Sequence, residues 1–214
     1  MKKTLFPLCL FVWSVSFGQT IYNGNGKAGF TGAVGNGSLS ITDNGTDFTI
    51  NFTQGGALND ILVIYFDSEA GGFNNTTTIE DDSDGGRAAV SGNAGANESE
   101  ATFPAGFGAD YALAWGNFGS ALFKLTAGGS GSLNFINFNS STTTRTIAKT
   151  DIGITGAINF QFIGTYIAGS AYRSNEAIVE NIGDGTEPGG NFGFNPVTFS
   201  RVNVYTSGAL NITL

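Results

Sequence analysis

Apolar runs of four to eight residues, each closed off by glycine, asparagine or aspartate, recur along this chain and confine it to a β architecture. In TDFTINFT the residues Phe48, Ile50 and Phe52 fall on one face and Asp47, Thr49 and Asn51 on the other, the pattern of a half-buried strand. ILVIYF, from Ile61 to Phe66, is apolar on both faces, as a central strand covered twice would be. DYALAW (Asp110 to Trp115) and SALFKL (Ser120 to Leu125) flank Gly116-Asn117-Phe118-Gly119 and read as a hairpin. Ile158, Phe160 and Phe162 alternate in a later run. The 33 glycines favour turns, and the residues that favour helices (Leu, Lys, Glu, Arg) are sparse.

Two runs slip phase. In LNFINFN the apolar set moves from Leu133/Phe135 to Ile136/Phe138, and in VTFSRVNVY from Val197/Phe199 to Val202/Val204. A β-bulge re-phases a strand without ending it, and one is expected in each. The only helical turn expected is KTDIG, with Thr150 as cap and Gly153 as terminator. No tandem repeat or linker divides the chain. The expected fold is all-β: one antiparallel β-sandwich of jelly-roll type over residues 19–214.

Residues 1–18 read as a signal peptide. Lys2 and Lys3 precede an apolar run from Leu5 to Phe17, and Ser16 and Gly18 are the small residues before a cut at Gln19. The run is shorter than the roughly 20 residues of a transmembrane helix. Phe6-Pro7-Leu8 before Cys9 is not a lipobox. A secreted or cell-surface protein is expected, with the periplasm as an alternative and no membrane insertion after cleavage. The remaining chain has no cysteine and no histidine, and without Lys2 and Lys3 its formal charge falls from −8 to −10. That charge disfavours nucleic acid and anionic lipid as partners. Without His or Cys, Ser-His and Cys-His nucleophilic machinery and most zinc sites are excluded.

Gly24-Asn25-Gly26-Lys27-Ala28-Gly29 fits G-x-G-x-x-G, but the Gly-rich stretch after it is no helix, so it reads as an entry loop. In IEDDSDGG, Glu80, Asp82 and Asp84 alternate before Gly85. Ser91 stands where an EF-hand needs its bidentate carboxylate, so an EF-hand is excluded. A structural Ca²⁺ held by Asp82, Asp84 and the distant Asp67 is one reading. A solvated acidic turn offset by Arg87 is the other. A glycosidase needs only two carboxylates, and Asp67, Glu69 and Glu176 supply candidates, though the E-x-D-x-E strand of sandwich glycosidases is missing. The polar-edged aromatics suit sugar stacking. Tyr172, in the loop-like GSAYRSNEA, is expected at the surface with Arg173, Asn175 and Glu176 around it. Trp115 is a second stacking candidate, with core as its alternative, because it shares a strand face with Tyr111 and Leu113. The structural alternative for Arg173 and Glu176 is that they pin the loop, by pairing with Asp84 or Arg87.

Seven segments, in order, carry a resemblance: IYNGNGKAGFTGAVGNGSLSI, NDILVIYFDSEAGGF, DDSDGGRAAVSG, FPAGFGADYALAW, KTDIGIT, FQFIGTYIAGSAYRSNEAI and FGFNPVTF. Together they resemble a secreted module of Flavobacteria and related Bacteroidetes. The strand ending in IYFD, the later ADYAL and the KTDIG turn are also similar to family 9 carbohydrate-binding modules and DOMON-like sandwiches. The paired tryptophans of family 9 modules have no counterpart, since Trp115 is the only tryptophan after the leader. The resemblance carries no activity with it and implies the sandwich fold and export. The function expected, from the loop aromatics and amides, is a non-catalytic module that binds polysaccharide or a cell-surface glycan. The alternatives are a structural or adhesive surface protein and a small hydrolase using a carboxylate pair.

Overall fold

Residues 20–155, 159–179 and 193–206 are described by the computed structural model. The expected leader, the cut before Gln19 and Ile158 lie outside them. In chain order come strands β1 (Thr20–Asn23), β2 (Ser38–Asp43), β3 (Asp47–Thr53) and β4 (Ile61–Asp67), then helix α1 (Gly85–Ser91). Three two-residue strands follow: β5 (Asn93–Ala94), β6 (Asn97–Glu98) and β7 (Ala101–Thr102). Next are β8 (Tyr111–Gly116), β9 (Gly119–Lys124), β10 (Asn134–Asn139), β11 (Thr144–Ala148) and the 3-10 helix η1 (Lys149–Ile152). Last come β12 (Phe160–Ile167), β13 (Arg173–Ile178), β14 (Val197–Thr198) and β15 (Asn203–Tyr205).

The expected all-β sandwich is what these strands form. One sheet has the order β1-β2-β3-β11; the other runs β10-β9-β8-β4-β12-β13, with β15 also on β12. Neighbours in both are antiparallel. Chain-consecutive strands mostly stay within one sheet as meanders, and this order lends no support to the finer jelly-roll expectation.

The double-faced run ILVIYF explains the layering. Leu62, Ile64 and Phe66 point between the sheets, where they meet Leu39, Ile41, Phe48, Ile50 and Phe52 of the smaller sheet. Ile61, Val63 and Tyr65 point the other way, into a second core with Ala89 and Val90 of α1, Val197 of β14, and Phe103, Phe107 and Phe199 from loops. The larger sheet is thus covered on both faces, as its central strand requires.

Helix α1 departs from expectation. Gly85 and Gly86 hide a helical start, yet Asp84 Oδ1 accepts the N–H groups of Gly86 (2.8 Å) and Arg87 (2.9 Å), and Gly92 ends the helix at φ 72°. Burial of Ala88, Ala89 and Val90 then outweighs the weak propensity. The KTDIG turn forms as η1, with Gly153 ending it at φ 70°, but Ala148 rather than Thr150 precedes it and no side chain caps it. LNFINFN contains its bulge, between Phe135 and Asn137. VTFSRVNVY does not: β14 pairs in parallel with β7, β15 pairs with β12, and the phase changes because the chain changes sheets.

Candidate functional site

The C-terminal end of β4 opens into a polar groove. Asp67 and Glu69 line both a cleft of about 540 Å³, with Asn74, Phe73 and the backbone of Gly71, Gly72, Gly106 and Gly108, and an adjoining one of about 380 Å³, with Ser68, Asn159 and Gln161. The KTDIG turn forms part of the surround. Ser68 Oγ donates to the Ile152 carbonyl (2.7 Å), and a Cβ on Gly153 would collide with the Glu69 carboxylate.

The carboxylates there occupy different environments. Glu69 accepts from Lys124 Nζ (3.0 Å) and Tyr111 Oη (2.9 Å), and these bonds, with Lys124 first, lower its pKa. Burial raises the pKa of Asp67; a bond from the Gly108 N–H (3.1 Å) opposes this, and the Asp110 charge adds to it. Asp110 is buried beside these residues and accepts from the N–H groups of Ser68 (2.9 Å) and Glu69 (2.8 Å). Desolvation nevertheless outweighs those bonds and raises its pKa. Sequence reasoning missed Asp110, whose alternation within DYALAW carries no sign of this contact.

The residues chosen around Tyr172 separate into a surface ring and its internal supports. Tyr172 is 37% exposed, stacked with Phe30 (centroids 6.0 Å, 26°) and edge-on to Phe194 (5.0 Å, 89°). Ala171 before it holds φ 62°, a left-handed conformation unfavourable for a residue with a Cβ. Arg173 and Glu176 are fully buried, which corrects their expected place around a ligand. Glu176 Oε1 accepts from the N–H groups of Phe30, Thr31 and Gly32 (2.8–3.1 Å), and Oε2 from those of Val34 (3.0 Å) and Gly35 (3.2 Å). The entry loop of residues 24–29 therefore continues into an amide cradle for an internal carboxylate. Arg173 Nε donates to Ser99 Oγ (3.0 Å) and Nη1 to Thr165 Oγ1 (2.9 Å), while Ser99 Oγ donates to the Asn195 carbonyl (2.8 Å). Both residues do pin loops, but not through Asp84 or Arg87. Asn175 is half-buried; its carbonyl accepts from Asn25 Nδ2 (2.7 Å), and its buried Oδ1 has no partner among the described residues.

Trp115 is also corrected. It is 0% exposed in the inter-sheet core, edge-on to Phe52 at 5.8 Å, because its face of β8 looks inward with Leu113. The Ca²⁺ trio does not assemble. Among the described residues no group of three or more His, Cys, Asp or Glu is placed to hold a metal ion. Asp84 caps α1 and pairs with Arg87 Nε (3.2 Å), Asp82 is exposed, and Asp67 lies at the groove. The acidic residue that organises this loop is Asp81, fully buried, which accepts from Arg87 (2.7 Å), Ser83 Oγ (2.7 Å) and the N–H groups of Gly131 (2.7 Å) and Leu133 (2.8 Å). No helix among the described residues is long and apolar enough to cross a membrane. Set against protein-family models, curated proteins and solved structures, the chain matches none of them, and its functional reading rests on this geometry.

Proposed function

We infer that this protein is an exported, non-catalytic binding module for neutral carbohydrate, and that the groove at the end of β4 holds the ligand. One observation carries the reading: Asp67 and Glu69 join two adjoining polar clefts into a single groove flanked by Asn74, Asn159 and Gln161. Amides and carboxylates supply the donors and acceptors that sugar hydroxyls require, and Phe73 offers a half-buried ring beside them. The expected leader, and the formal charge of −10 that remains without it, support export and a ligand that is not anionic.

Affinity electrophoresis in gels containing β-glucan, xylan or mannan tests this reading. Retardation is expected with at least one polymer, and Asn159→Ala/Gln161→Ala should abolish it without lowering the Tm. Equal mobility in all gels, or retardation unchanged in the double variant, would count against it.

A second reading rests on a different feature of the same groove. Asp67 has a raised pKa and Glu69 a lowered one, the divergence seen where one carboxyl serves as acid and another as base. Release of reducing ends from those polymers, lost in Asp67→Asn, would favour a hydrolase. No release by the native protein would eliminate it.

A further inference from the structure

The bulge in β10 has a consequence beyond phase. Phe135 stands opposite Phe123 and Phe138 opposite Ala121 on β9, so the irregularity between Phe135 and Asn137 returns both rings to one face of the sheet. In a regular strand, residues three apart face opposite ways. Phe135 is 51% exposed, Phe138 52%, and Phe118 from the β8–β9 turn 46%. With Ile61, Ala121 and Phe123 they border a cleft of about 440 Å³ beside the start of α1. Phe123 at its floor is buried; it lies edge-on to Phe135 at 6.0 Å, and the Arg87 guanidinium sits 4.9 Å from its ring centroid. Grouped, half-exposed phenyl rings of this kind mark an interaction site. The cleft is distinct from the polar groove, since Ile61 and Asp67 are opposite ends of β4, about 20 Å apart.

The lining indicates what fits. Ring faces dominate, and the polar groups are already engaged: Arg87 with Asp81, Asp84 and the Leu133 carbonyl, and Asp84 Oδ1 with α1. A sugar would find few donors or acceptors here. The adjoining loop is negative, because Glu80, Asp82 and Asp84 are exposed while Arg87 is the single cation between residues 80 and 87. Charge complementarity therefore calls for a cationic occupant. The open faces of three half-exposed phenylalanines amount to roughly 300 Å². A stable interface buries about 800 Å² per partner. This patch is too small for a broad face-to-face contact with any folded partner, but it suffices for one anchoring side chain presented by a short segment.

We propose that the Phe118–Phe135–Phe138 cleft docks a partner protein by taking one aliphatic or aromatic side chain from a segment with lysine or arginine beside that anchor. The test uses a fluorescein-labelled Gly-Lys-Leu-Phe-Lys-Gly peptide as probe, read by anisotropy on the whole secreted chain. Saturable one-to-one binding is expected, at least tenfold weaker when serines replace Leu-Phe or glutamates replace the lysines. Phe135→Ser/Phe138→Ser should weaken it at least tenfold with an unchanged Tm, and Phe118→Ser serves if that variant does not fold. Amide shifts of the native protein on titration should centre on Phe118, Ala121, Phe135 and Phe138. No saturable binding, equal affinity for the serine or glutamate peptide, or shifts centred elsewhere would overturn the proposal.

Discussion

Arg173 and Glu176 are three residues apart on β13, both fully buried, and they serve opposite faces of the same sheet. Arg173 reaches Ser99 and Thr165 on the side of the second core, whereas Glu176 is enclosed by amides of residues 30–35 on the side of the inter-sheet core. An unpaired buried charge is expensive unless hydrogen bonds replace its hydration. Here backbone and hydroxyl groups of distant segments do so, and each ion thereby fixes a loop around Tyr172.

Glu176→Gln should therefore be strongly destabilising despite its similar shape. One carboxylate oxygen becomes an amide NH₂ that cannot accept, and the N–H groups it faced lose their partner. The expected loss is about 2–4 kcal/mol, measured by urea denaturation, with amide exchange accelerated first in residues 30–35. A loss below about 0.5 kcal/mol, typical of a surface change, would show that the cradle contributes little.

Acid stability should depend on Asp81. Burial alone would raise its pKa, but the Ser83 hydroxyl, the Gly131 and Leu133 N–H groups and Arg87 outweigh burial and hold the carboxyl far below the ordinary range. A folded pKa depressed in this way contributes stability that is complete above the unfolded value of about 3.9 and declines as pH falls below it. Asp81→Asn should lower stability at pH 7 by about 3 kcal/mol, as expected for removing one partner of a buried ion pair. It should also flatten the decline between about pH 4 and pH 2. Parallel pH profiles for the two proteins, from thermal melts, would refute the assignment.

Trp115 and Tyr172, both candidate sugar platforms from sequence, should respond oppositely to truncation. Trp115→Ala opens the inter-sheet core and should cost about 3–5 kcal/mol. Tyr172→Ala removes a partly exposed ring from a surface cluster and should cost about 1 kcal/mol. Equilibrium unfolding of both variants checks the pair, and similar losses would mean that Tyr172 carries more of the fold than its exposure indicates.

The alternation in TDFTINFT, the double-faced run ILVIYF, the hairpin across Asn117 and Phe118 and the bulge in LNFINFN were legible because strand geometry writes itself locally, with a period of two. Solvent exposure of Tyr172 was legible too, from its loop-like surroundings. Helix α1 was not. Its two leading glycines argue against it, and burial of Ala88, Ala89 and Val90 against strands distant in sequence decides the matter. Nor does local sequence distinguish Arg173 and Glu176 as surface ligands from the same residues as internal ties. That depends on whether residues 30–35, Ser99 and Thr165 arrive to replace water around each charge, and only the tertiary structure brings those segments together. The same holds for the grouping of Phe118, Phe135 and Phe138: the phase slip is written in the sequence, but the shared face exists only once β10 pairs with β9.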